Sequence, residues 1–147
     1  MLLWLDDSNL RLLALVDLLL VLLMITVGNY TSMLRIQRKV FATPEDYARR
    51  GLPLRAPDEG VERTRRVHLN HVENVLPFFV VSLLYALTQP SHLMLSIFMW
   101  GFLIARVAYS VFYLRAMQPH RTLAFSLGIM CTLGITILTL AAVVKAY

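Results

Sequence analysis

The chain has 147 residues, 58% of them hydrophobic and only 16% charged, with a mean hydropathy of +0.64. Soluble domains carry about 25% charged residues, so this composition argues against a soluble bundle, and the length against two domains with separate cores. The net charge of +5 would suit nucleic acid, but in a chain this apolar the basic residues are read first against a membrane, and no nucleic-acid partner is expected.

A helix needs about 20 mostly apolar residues to cross the hydrocarbon layer. The first helix is expected over 10–38, around the apolar run from Leu12 to Leu34. It is too long for a signal h-region and has no basic segment ahead of it. Asp17 interrupts it near its start, as a helix–helix hydrogen-bond anchor or, less commonly, a proton site. A loop follows over 39–61. The second helix is expected over 62–88, because the polar stretch from Glu62 keeps helical spacing into the apolar run Val72–Thr88. Gln89-Pro90-Ser91 reads as a tight turn. The third helix is expected over 92–115 and contains Arg106; the fourth, over 120–146, follows Pro119, which can end one helix and help start the next. Cys131, the single cysteine, excludes an intrachain disulfide and leaves the redox compartment open. The expected fold is all-α: an integral membrane four-helix bundle, one domain over 1–147.

The segment between the first two helices holds Arg35, Arg38, Lys39, Arg49, Arg50, Arg55, Arg63, Arg65 and Arg66, and the connection before the fourth adds Arg115 and Arg121. The opposite side has Arg11 and Lys145. Basic loops favour the cytoplasm, which sets the expected orientation. Short loops and the lack of a retention signal favour a bacterial inner membrane, with the endoplasmic reticulum as the site in a eukaryote.

Ionisable groups inside spans pair or face a cavity. Arg66, Asn70 and Glu73 share one helical stripe, and Arg106, Tyr109 and Tyr113 share another. Glu73 is the expected partner of Arg106. Two readings stand together here: a structural ion pair fixing helix register, or a polar pocket between the stripes, toward which the tyrosine hydroxyls tilt the balance. His68 and His71 lack further ligands at metal spacing, so no metal is expected.

Three segments resemble those of a known family. Arg35-Ile-Gln-Arg38-Lys39-Val-Phe-Ala-Thr-Pro44-Glu45-Asp46 is similar to the end of the first helix and following loop of microsomal glutathione transferases. Arg66-Val-His68-Leu-Asn70-His-Val-Glu73-Asn74-Val-Leu-Pro77-Phe78 resembles their second-helix signature, and Arg106-Val-Ala-Tyr109-Ser-Val-Phe-Tyr113, then Pro119-His-Arg121, their third helix and its exit. These segments resemble the family of membrane-associated proteins in eicosanoid and glutathione metabolism (MAPEG), which includes microsomal prostaglandin E synthase, in nearly the whole chain and in matching order.

The resemblance implies a homotrimer that binds glutathione between neighbouring subunits near the cytoplasmic face. It implies glutathione contacts at Arg35, Arg66, Asn70, Glu73, Tyr109, Tyr113 and Arg121, with Arg106 as the buried arginine beneath and Asp46 as a loop aspartate closing near the ligand. Arginine forks suit the carboxylates of glutathione, Glu73 its ammonium group, and a nearby cation favours the thiolate. Arg121 is the residue expected to activate the thiol, with Asp46 and Thr122 as further catalytic candidates. Lipophilic electrophiles would arrive from the bilayer. Prostaglandin synthases of the family carry His at Tyr109, Arg at Leu69, Ser at Thr122 and Tyr at Phe125, and these departures favour the general transferase branch, with lipid hydroperoxide reduction as a second activity. The alternatives are a non-catalytic lipid-binding or scaffold member, a prostaglandin-type isomerase, and a small proton-coupled exporter.

Overall fold

A computed structural model describes residues 6–146; the ends of the expected domain, residues 1–5 and 147, lie outside them. The elements are α1 (Ser8–Arg38), α2 (Pro44–Arg49), α3 (Glu59–Leu87), α4 (His92–Leu114) and α5 (Gln118–Ala146). All but α2 are long and apolar enough to cross a membrane. The shortest of these four, with 23 residues, spans about 35 Å at 1.5 Å per residue.

Local chemistry sets the boundaries. The Asp7 carboxylate accepts from the backbone N–H groups of Asn9 and Leu10, and Lys39 closes α1 in the left-handed region at φ 55°. Asp58 caps α3 by accepting from the Val61 N–H at 3.0 Å, which starts that helix at Glu59, ahead of the expected position 62. The expected loop over 39–61 contains α2, where Thr43 caps and Pro44 opens one short helix. Pro77 lies inside α3 and has no N–H for the Glu73 carbonyl, yet the helix continues through it.

In cross-section α1 and α5 do not touch, while α3 and α4 each pack against both and against each other. The outer helices thus occupy opposite corners of a rhombus, with α3 and α4 on its short diagonal. One apolar cluster joins Leu13, Val16 and Leu20 of α1 to Val75 and Phe78 of α3, Met99 and Phe102 of α4, and Ile135 of α5. Phe78 and Phe102 stack at its centre with ring centroids 3.7 Å apart. A smaller cluster holds Val27, Val67, Tyr109 and Ala124. Outward faces carry Leu18, Leu22, Val80, Ile104, Met130 and Ile137, all more than half exposed in the single chain. Only 17% of the most apolar window of α5 is buried within the chain, so most of that helix requires lipid or another apolar surface.

Both ends of the bundle are tied by long-range hydrogen bonds. At one end the Asn9 amide donates to the Pro90 carbonyl (2.9 Å) and contacts His92 Nδ1 (2.9 Å), joining the start of α1 to the α3–α4 turn. At the other, Arg63 donates to the Tyr113 carbonyl (3.3 Å), joining the start of α3 to the end of α4. The two basic segments therefore share one end. Asp17 departs from the expected anchor role: its buried Oδ1 has no hydrogen-bond partner among the described residues. Its buried neighbours on α1, Val16 and Leu20, belong to the apolar cluster.

Candidate functional site

The buried face of α3 runs through Val61, Thr64, Val67, His71, Val75 and Phe78, a spacing of three and four residues. His71 is the polar member of this stripe at the level where Arg106 enters from α4. Arg106 is fully buried. Its Nε donates to His71 Nδ1 (3.2 Å), and its Nη2 donates to Asn70 Oδ1 (2.6 Å) and lies 3.0 Å from the same His71 nitrogen. Its Cζ sits 4.8 Å from the centre of the Tyr109 ring.

This overturns the expected pairing with Glu73, which is exposed and forms no ion pair among the described residues. At 100° per residue, Arg106 meets α3 between the directions of Asn70 and His71, and Glu73 points about 110° away from that line. The stripe of Arg66, Asn70 and Glu73 is therefore an outer face, with Asn70 at its inner edge. The stripe of Arg106, Tyr109 and Tyr113 faces inward, as the first two are buried and the third partly so.

Arg106 leads into a hollow of about 240 Å³ lined by Asn70, Tyr109, Tyr113, Arg121, Thr122 and Phe125. Tyr109 lies 5.5 Å from Tyr113 and 6.2 Å from Phe125, centroid to centroid. The Arg121 guanidinium lies 4.6 Å over the Tyr113 ring. Arg121 stands in the first turns of α5, where Pro119 brings no N–H, and it has no ion-pair partner among the described residues. Thr122 donates to the Gln118 carbonyl at 3.4 Å, which leaves its oxygen as an acceptor. Arginine only donates, so Asn70 must turn Oδ1 toward Arg106 and keeps its two amide hydrogens for the hollow. The hollow thus presents donors and positive charge, an arrangement suited to an anion.

The profile of the MAPEG family matches residues 13–141. The chain belongs to the MAPEG family. It is a multi-pass integral membrane protein. Among relatives, microsomal glutathione S-transferase 1 of Sus scrofa is 40% identical over 117 residues, covering 76% of each chain. The Homo sapiens protein of the same name is 38% identical over 117 residues, again 76% of each. Prostaglandin E synthase of Equus caballus is 34% identical over 112 residues, 75% of this chain and 73% of that relative.

The candidate residues of this MAPEG chain fall into two groups. Asn70, Tyr109, Tyr113, Arg121 and Thr122 meet at the hollow, with Arg106 beneath them. Arg35 lies instead in a separate hollow of about 370 Å³ with Arg55 and Arg65. Arg66 is half-exposed, 3.7 Å from Glu59, which it shares with Arg63. Asp46 lies in α2, where its carboxylate accepts from the Thr43 hydroxyl at 3.4 Å. His71 and Ser110 complete the network around Arg106 and were not expected to take part. The signal for them was present: His71 falls on the apolar stripe four residues from Val67 and Val75, and Ser110 falls one turn from Arg106.

Proposed function

We propose that this MAPEG chain is a membrane-bound glutathione transferase whose site is the hollow under Arg121, completed by a second copy of the chain. The single observation that carries this reading is the Arg121 guanidinium, stacked on Tyr113, without a carboxylate partner among the described residues, beside the amide of Asn70. The names of the relatives at 38% to 40% identity support glutathione as the co-substrate.

The residues fit the tripeptide. Asn70 and Arg121 offer donors to carboxylate, carbonyl or thiolate, and the rings of Tyr109, Tyr113 and Phe125 form an apolar wall. A thiol bound near Arg121 loses its proton more readily because the guanidinium favours the charged form. Thr122 supplies a hydroxyl oxygen at the same mouth. The thiolate then attacks a lipophilic electrophile from the bilayer; with a lipid hydroperoxide the same thiolate would be oxidised as the peroxide bond breaks.

One chain supplies only part of the wall. Its hollow of about 240 Å³ is below the roughly 300 Å³ at the small end of ligand pockets. Arg66 and Glu73 face outward beside it, while Arg35 and Asp46 lie elsewhere on the chain. These four are the residues a neighbouring copy would bring into use, in the homotrimer that the resemblance implies. Glu73, outward and without an ion pair among the described residues, would then receive the ammonium group of glutathione. The basic end of the bundle is assigned to the cytoplasm, in a bacterial inner membrane or, in a eukaryote, the endoplasmic reticulum.

The test is turnover of an activated aryl halide by purified protein in detergent. Glutathione-dependent product is the expected result. Absence of product with intact glutathione binding would leave a binding protein, and absence of both would remove the reading.

A further inference from the structure

Beneath the hollow lies a hydrogen-bond network whose directions can be read from chemistry alone. Arg106 has no acceptor, so His71 Nδ1, receiving its Nε–H at 3.2 Å, must carry a lone pair. Ser110 has one hydroxyl hydrogen and gives it to the Arg106 carbonyl at 3.0 Å. The contact of 2.7 Å between Ser110 Oγ and His71 Nε2 must then have the histidine as donor. The imidazole is therefore neutral, with its proton on Nε2, and Ser110 Oγ accepts that proton's hydrogen bond. Both ring nitrogens are committed, and His71 is fully buried.

The position of Arg106 depends on this arrangement. Its guanidinium is held from one side by His71 and from the other by Asn70 Oδ1, and it lies against the face of Tyr109. Asn70 and Tyr109 both line the hollow. Loss of the acceptor at His71 Nδ1 frees the arginine side chain to rotate, and the orientation of the Asn70 amide goes with it. Coupling of this kind needs only one packed chain of contacts from ring to guanidinium to amide.

We propose that His71 is a positioning residue for the glutathione site: its Nδ1 lone pair sets Arg106 and through it the ligand-facing donors of Asn70. The proposal rests on the reading that this hollow takes glutathione. His71 touches no ligand and acts only through Arg106.

Two near-isosteric substitutions separate positioning from packing. In His71→Asn the amide oxygen can occupy the place of Nδ1, so the acceptor for Arg106 is kept and the contact to Ser110 is lost. In His71→Gln the amide reaches toward Ser110, and the acceptor at Nδ1 is lost. In turnover of glutathione with an aryl halide, His71→Gln should raise KM for glutathione about tenfold, as expected when one hydrogen bond to a charged group is lost. KM for the aryl halide should stay unchanged, and His71→Asn should remain within about twofold of the parent protein for both substrates. Equal impairment of the two variants, a parallel rise of both KM values, or no effect of His71→Gln would overturn the role. Failure of the parent protein to bind glutathione would instead defeat the underlying site reading. A second measurement needs no variant: nitrogen-15 spectra of the histidine-labelled full chain should show a lone-pair Nδ1 and a protonated Nε2 for His71. A protonated Nδ1 would overturn the proposal.

Discussion

Arg106 is buried among neutral acceptors, whereas Arg121 is partly exposed over a tyrosine ring at the mouth of the hollow. That difference in surroundings divides their roles. Arg106→Leu would leave Asn70 Oδ1 and His71 Nδ1 without a donor, at about 1–3 kcal/mol for each unsatisfied group. Thermal unfolding in detergent should show a lowered midpoint, and an unchanged midpoint would mean that both acceptors find other donors. Glu73 belongs to a different case, since its carboxylate is exposed and does not neutralise Arg106. Glu73→Gln should weaken glutathione binding severalfold by calorimetry without lowering the unfolding midpoint; unaltered affinity would remove Glu73 from the ligand. The sequence showed which residues carry unusual polarity inside the spans. It did not show their partners, because Asn70, His71 and Glu73 lie within four residues and only the angle at which α4 meets α3 decides between them. With His68 three residues away, His71 raises the question of a metal, yet its place on the apolar stripe marks it as facing the core.

At the scale of elements, apolar run length and turn residues made the four long helices legible to within a few positions. The short α2 is not legible in the sequence because a six-residue helix leaves too little periodicity, although Thr43-Pro44 is a capping signal. Asp58 couples two elements: it caps α3 and pairs with Arg38 at the end of α1. The Val61 N–H, with the Arg38 guanidinium beside it, holds its carboxyl below the ordinary value. A lowered carboxyl pKa gives stability that is present above the unfolded value, about 3.9, and is lost as pH falls through the folded one. Asp58→Asn should therefore flatten the loss of stability below about pH 4, measured by unfolding across an acid series; an unchanged acid slope would contradict the coupling. The contact of α4 with α5 has its own test at Gly134, where an added Cβ would come within 2.6 Å of the Phe98 ring. Gly134→Ala should cost about 1–3 kcal/mol by overpacking, again read from thermal unfolding, and a neutral result would show that the ring can move aside.

The whole molecule explains why the candidate residues divide as they do. Asn70 of α3, Tyr109 and Tyr113 of α4 and Arg121 and Thr122 of α5 converge at one hollow, while Arg35 on α1 does not, because α1 and α5 stand at opposite corners and do not touch. On the proposed reading, a site that uses both Arg35 and Arg121 lies between copies. Arg35→Ala and Arg121→Ala should each lose transferase activity alone, and coexpression of the two should restore part of it through mixed assemblies. Lack of any recovery would place both residues in one chain's site or remove one from catalysis. The most direct measurement is the ultraviolet absorbance of glutathione thiolate bound to the purified protein, titrated with pH. The parent protein should hold the thiol ionised well below the ordinary thiol value of about 8.5, and Arg121→Ala should return it toward that value while retaining much of the binding. A thiol pKa that is ordinary in the parent, or unchanged in Arg121→Ala, would contradict the assignment of Arg121 as the thiolate's cation.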